Sequence, residues 1–284
     1  MTSATDTPAD AASPATAGVL PSLGSISLVR ARVELLTFFR GRESVVFVLA
    51  FPALLLLIFG SVFGSQTLTS GVNFAQYFVA GMIAAGLLTV SFQNLAIQIP
   101  IERDTGSLKR LAGTPMPRAA YFTGKIILVG FIAVVQIVLL VGIGALFYNV
   151  QLPDTAGRWF TFAWLTVLGT TACTLLGLAF SGFLRNGTSA PAVVSPIAIV
   201  LQFISGVFFV FNNLPPWMQT VASVFPLKWM TQGMRSVFLP DEFVTEEPSK
   251  SWQHGQTALV LGAWCVVGLV LALRTFRWTS REAG

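Results

Sequence analysis

The chain has 284 residues, 54% of them hydrophobic and only 10% charged, with a mean hydropathy of +0.74. A soluble domain carries about 25% charged residues. The shortfall, together with continuous apolar runs of about 20 residues, excludes an ordinary water-soluble fold and indicates an all-α integral membrane protein. The net charge of +5 does not signal nucleic acid, because the basic residues flank the apolar runs, where membrane orientation places them.

Residues 1–22 are rich in Ala, Thr, Pro and Ser, cannot bury an apolar core, and are expected to be a disordered tail. They have neither the basic start nor the apolar run of a secretory signal. Residues 23–284 form the membrane domain. Its first element, 23–42, has the spacing of an amphipathic helix, with Ser27, Arg30, Glu34 and Thr37 on one stripe and Val29, Val33, Leu36 and Phe39 on other faces. Arg30 and Glu34 are spaced to pair, and Arg40 closes the segment. Such a helix either lies along the membrane surface or extends the first span.

Six spans are expected, near 44–63, 74–99, 121–148, 160–184, 190–211 and 257–273. The first contains Pro52 and ends in a Gly60/Gly64 pair, a spacing that permits close helix approach. With the N-terminus inside, thirteen basic residues fall on the cytoplasmic side: Arg30, Arg32, Arg40, Arg42, Arg103, Lys109, Arg110, Arg118, Lys125, Arg185, Arg274, Arg277 and Arg281. Four (Arg158, Lys228, Arg235 and Lys250) fall outside, which places both termini in the cytoplasm. The last outer connection, 212–256, is too apolar for an ordinary loop. Two short helices broken at Pro226 fit it, either re-entrant or lying on the surface as a cap.

The middles of the spans hold almost no ionisable side chains, which argues against proton- or ion-coupled transport. Gln93, Asn94, Gln98, Gln136 and Gln202 are the polar exceptions; they either line a pathway or hydrogen-bond between helices. Cys173 and Cys265 sit inside spans as packing residues, His254 is the single histidine, and no metal spacing occurs. Nor does the chain contain an ATP-binding loop, an HExxH motif or a GxSxG motif. It is therefore not expected to be an enzyme.

Between the second and third runs lies a charged, turn-bounded insert, residues 102–115 (ERDTGSLKRLAGTP). Gly106 and Pro115 bracket about two helical turns, in which Leu108 and Leu111 share one face and Lys109 and Arg110 project elsewhere. Two apolar knobs with flanking charges suit a cleft on a soluble protein.

This insert resembles an element of the ABC-2-type permeases, the membrane subunits of ATP-driven exporters, through Glu102, Gly106, Ser107, Leu108, Arg110, Leu111, Thr114 and Pro115. The lead-in helix and the outer segment Gly206–Phe209, Leu214, Pro215, Trp217, Pro226 and Arg235 extend the resemblance over roughly residues 23–278. Val210 departs from it, standing where many relatives have a proline. The flavour is similar to that of daunorubicin-resistance permeases.

The resemblance implies a six-span fold with an N-terminal interfacial helix, a cytoplasmic coupling helix within 102–115, and outer re-entrant helices between spans five and six. It implies two separate ATPase subunits that bind ATP and Mg²⁺, and a homodimer or heterodimer of permeases in a bacterial cytoplasmic membrane. A lipophilic drug, antibiotic or lipid-like cargo is expected. Export of an envelope glycan or polyketide lipid is the alternative within the family, and a stand-alone six-span channel is the alternative outside it. The Glu102 carboxylate is expected to bond the ATPase.

Overall fold

The computed structural model describes residues 22–64, 66–68 and 71–276. The tail expectation falls outside the described residues except at Ser22, whose hydroxyl accepts from the Ser25 N–H and caps the first helix. Arg277 and Arg281 also lie outside them.

Helix α1 (Leu23–Arg40) ends at Gly41 and is followed by the short α2 (Arg42–Val45), a π turn (Val46–Ala50) and α3 (Phe51–Phe63), which together make the first span. The π turn sits where Pro52 has no N–H to offer the Val48 carbonyl, so the helix rewinds instead of breaking. Helix α4 (Phe74–Leu88), a second π turn (Thr89–Gln93) and α5 (Asn94–Asp104) form the second span. Next come α6 (Ser107–Ala112), α7 (Arg118–Tyr148), α8 (Ala156–Ser181), α9 (Ala190–Ile204), α10 (Pro216–Val224), α11 (Pro226–Phe238) and α12 (His254–Thr275).

Among the described residues, five helical stretches are long and apolar enough to cross a bilayer: Arg42–Phe63, Phe74–Asp104, Arg118–Tyr148, Ala156–Ser181 and His254–Thr275. In the expected span at 190–211 the helix has 15 residues and stops at Ile204, so the six-span count is not confirmed. At 1.5 Å per residue such a helix reaches about 22 Å, short of the ~30 Å hydrocarbon layer. Gly206 causes the stop, at φ +76°, a left-handed conformation. The bend is therefore made at Gly206 without a proline at Val210.

The second span is the hub of the bundle. Every residue of α4 from Tyr77 to Leu88 is buried, and α3, α7, α8 and α11 all pack against it. Small residues allow this. A Cβ on Gly81 would lie 2.9 Å from the Val207 carbonyl oxygen, and one on Gly177 would lie 2.8 Å from that of Phe92. The Gly60/Gly64 pair is also used inside the chain. Tyr148 of α7 covers Gly60 and donates to the Leu57 carbonyl at 2.7 Å.

At one end of the bundle, irregular backbone from Ser205 to Phe211 is neutralised by buried side chains. The Tyr77 hydroxyl donates to the Gly206 and Phe209 carbonyls (3.0 and 3.1 Å) and accepts from the Phe211 N–H (3.3 Å). Thr231 donates to the Ser205 carbonyl at 2.7 Å. Arg235, fully buried, reaches the Gly206 carbonyl at 3.4 Å and grips both oxygens of Glu247 at 2.6 and 3.2 Å. Burial disfavours the Arg235 charge, yet the Glu247 carboxylate and its hydrogen bonds hold the guanidinium above its ordinary pKa. Non-helical backbone inside a membrane protein needs such partners. Helix α11 is buried at every residue, whereas α10 buries only Ala222.

Candidate coupling site at the 102–115 turn

The opposite end of the bundle carries the insert. Helix α5 stops at Asp104, Gly106 turns the chain at φ +72°, and six residues of α6 follow. Local bonds stiffen the turn: Thr105 Oγ1 donates to the Glu102 carbonyl at 3.2 Å and lies 3.1 Å from Ser107 Oγ. Arg110 donates to Ser107 Oγ at 3.3 Å, and Thr114 Oγ1 closes α6 on the Leu111 carbonyl at 2.7 Å.

The two expected knobs face the other way. Leu108 is 0% exposed in the main core, and Leu111 packs half-buried against that core. A helix of six residues has one apolar face, and here the protein's own bundle covers it. The open surface consists of Lys109, Arg110, Ala112, Gly113, Thr114 and Pro115. Leu108 anchors the turn; it is not a surface contact.

Two side-chain systems clamp the turn to the bundle. Arg103, 6% exposed, donates to the carbonyls that end α8 and follow it: Ser181 (3.4 Å), Leu184 (2.5 Å) and Arg185 (3.3 Å). These are carbonyls with no partner within the helix, and a cation there also matches the negative end of the helix dipole. Asp104 accepts from the Gly187 N–H at 2.5 Å. Glu102 points the opposite way, toward α7. One of its oxygens pairs with the Lys125 ammonium, and the other accepts from the Tyr121 hydroxyl at 2.8 Å. Lys125 also holds Glu34 of α1 at 2.9 Å, and Arg30 pairs with Glu34 and stands 4.0 Å from Glu102. The Arg30 guanidinium lies over the Tyr121 ring, 5.4 Å from its centroid. The Glu102 carboxylate is thus engaged inside the chain.

This cluster sets the orientation of α1. Its buried stripe is Ser27, Ala31, Glu34 and Phe38, while Leu28, Val29, Val33, Leu36 and Phe39 are exposed. The polar stripe faces α7 and the apolar side chains face outward. Helix α1 runs alongside the first turns of α7 in the same direction, with Arg30 against Gly124 and Phe39 against Phe131. The buried Lys125 draws the Glu34 carboxylate inward. Arg40, at the end of α1, is exposed and outside the cluster.

A cavity of about 200 Å³ adjoins the cluster, lined by Glu34, Asn94, Gln98, Glu102 and Lys125 among others. Of the five polar span residues, Asn94 and Gln98 reach it. Gln93 donates to Ser195 Oγ at 3.1 Å, bridging the second span to α9. Gln136 is fully buried against Gly86, and Gln202 is half-buried on α9. Sequence reasoning missed Tyr121 and Lys125 as partners of Glu102, and Arg103 as the α8 clamp. A lysine one turn into an apolar span was the available signal.

The family model for the ABC-2 family transporter protein matches residues 65–274, most of the chain and all of the turn. The chain belongs to the ABC-2 transporter family. It is a multi-pass membrane protein of a family of transport permeases. It is 25% identical over 191 residues to the putative transport permease ycf38 of Porphyra purpurea, covering 66% of this chain and 65% of the relative. It is 26% identical over 188 residues to the inner membrane transport permease YadH of Escherichia coli K12, covering 64% and 70%. Its identity to the probable multidrug ABC transporter permease YbhR of the same strain is 23% over 167 residues, covering 58% and 45%. The matched stretch thus spans just under two thirds of the algal relative and under half of YbhR.

Proposed function

We propose that this chain is the permease subunit of an ATP-driven exporter of lipophilic compounds. Two separate ATPase subunits, holding ATP and Mg²⁺, sit beneath the α6 end, and a second permease, identical or homologous, completes the pore. The α6 end and both termini face the cytoplasm of a bacterial inner membrane, in keeping with the basic residues gathered there. The relative named as a multidrug permease supports a lipophilic cargo.

One observation carries the reading: the 102–115 turn presents a basic, open face while side chains behind it tie it to the bundle on both sides. Leu108 ties α6 to the core, Arg103 ties α5 to the end of α8, and Glu102 ties α5 to α7 and, through Lys125, to α1. A displacement applied to Lys109 and Arg110 reaches four helices at once. Moving a two-state equilibrium from 1:99 to 99:1 takes about 5.5 kcal/mol of differential binding. A single short helix cannot deliver that alone, but a turn clamped to the bundle on both sides can. Glu102 then acts as an internal strut in the path from the ATPase to the spans.

Reconstitution tests the proposal. Proteoliposomes holding this chain, its partner permease if it has one, and the ATPase encoded beside it should move a lipophilic dye uphill only when ATP is added. Uphill movement by the chain alone would refute the assignment.

A further inference from the structure

The α11 end holds a second feature, independent of ATP coupling. Lys228, the third residue of α11, is 6% exposed, yet among the described residues it has no carboxylate within ion-pair distance. The nearest acid influencing it, Glu247, is held through both oxygens by Arg235. The ammonium has three donors. One goes to Gln232 Oε1 at 2.6 Å. The charge otherwise rests on ring faces, 3.7 Å from the Trp229 centroid and 5.5 Å from that of Phe211. Burial pushes its pKa down to about 8, so it stays charged at neutral pH.

This cation lines a cavity of about 390 Å³ whose lining, among the described residues, contains no acidic side chain. Gln219, Ser223 and Gln253 also line it. Gln232 is fixed in place by bonds from its amide nitrogen to the Ser251 carbonyl (3.1 Å) and Gln253 Oε1 (3.3 Å), so the oxygen that meets Lys228 is preset. A buried positive charge with spare donors, on the wall of a polar cavity, is built for an anion.

Helix α10 indicates what kind of anion. Its Pro216, Gln219, Thr220 and Ser223 line the cavity, while the neighbouring stripe Trp217, Val221 and Val224 is exposed at 63%, 43% and 59%. The polar wall and the apolar stripe share one helix at i, i+4, i+7 spacing. An occupant with a charged head and an apolar tail satisfies both, and an exposed tryptophan beside them suits the headgroup level of a bilayer.

We propose that this cavity binds the phosphate of an anionic phospholipid at Lys228, with the acyl chains laid along Trp217, Val221 and Val224. The site neither requires the ATPase nor depends on the cargo.

Native mass spectrometry of the full chain released from nanodiscs tests this. In mixed phosphatidylglycerol and phosphatidylcholine discs, the wild type should retain phosphatidylglycerol, and Lys228→Met should retain about tenfold less, a loss of about 1.4 kcal/mol. Thr220→Glu, an exposed change in the cavity lining, should give the same loss by placing a carboxylate in the cavity that Lys228 lines. It decides the matter if Lys228→Met does not fold. Equal phosphatidylglycerol retention by the wild type and Thr220→Glu would overturn the proposal. So would full displacement of the lipid by excess inorganic phosphate, which would reassign the site to a soluble anion.

Discussion

The two ends of the molecule each contain a cluster of charges around a tyrosine, and they are built differently. At the α11 end, Arg235 and Glu247 are 0% and 3% exposed, joined through two parallel hydrogen bonds, and committed to a fixed piece of backbone around Gly206. At the α6 end, two cations and two carboxylates share several pairings across α1, α5 and α7. Glu102 and Arg30 are 19% and 15% exposed there, and a cavity lies alongside. The first cluster replaces hydrogen bonds that the chain gave up when α9 stopped. The second joins helices by exchangeable ion pairs, so the helices can shift without any charge losing every partner. The proposed drive from the α6 end would use this difference: a stiff far end and a deformable junction beside the drive.

The largest test strikes the stiff end. Arg235→Met leaves Glu247 buried without its partner and the Gly206 carbonyl short of a donor, so unfolding in detergent should shift by about 3–5 kcal/mol. Adding Glu247→Leu should recover part of that loss. Wild-type stability in the single variant would remove the distinction between the ends.

Gly60→Val comes next. Its Cβ would meet the Tyr148 ring at 2.4 Å and push the hydroxyl off the Leu57 carbonyl, costing about 1–3 kcal/mol. Tyr148→Ala in the same chain should relieve the clash, and a melting series of the two singles and the double checks it. Were Gly60 a dimer contact instead, Tyr148→Ala would relieve nothing.

The deformable junction comes last. Lys125→Met leaves Arg30 to serve both carboxylates and should cost about 1–3 kcal/mol, less than Arg235→Met, because a second cation remains beside Glu34 and Glu102. Its effect on transport should be larger than its effect on melting. A loss of stability equal to that of Arg235→Met would show the two clusters to be alike.

The long apolar helices were legible in the sequence because continuous hydrophobicity is a strong signal. The break at Pro226 was legible because proline fixes it: α10 and α11 meet there. The truncation of α9 was hidden, since Ser205–Phe211 is as apolar as a span and only Gly206 marks the turn. Direction was hidden as well. Periodicity gives α1 and α6 two stripes each but does not say which of them the bundle covers. Here Lys125, ninety-one residues beyond Glu34, decides which way α1 faces, and the bundle itself covers Leu108. Such contacts lie far apart in the chain, and spacing within one helix cannot report them.

The central claim is that the open face of α6, and not its leucines, meets the ATPase. Charge reversal at Lys109 and Arg110 together tests it most directly, measured as co-purification with the ATPase subunit and as transport by the reconstituted complex. The account predicts that the double variant melts within about 0.5 kcal/mol of wild type yet loses the ATPase and transport. Leu108→Ala should instead lose about 2–5 kcal/mol of stability. A double variant that binds the ATPase and transports as wild type does would contradict the account.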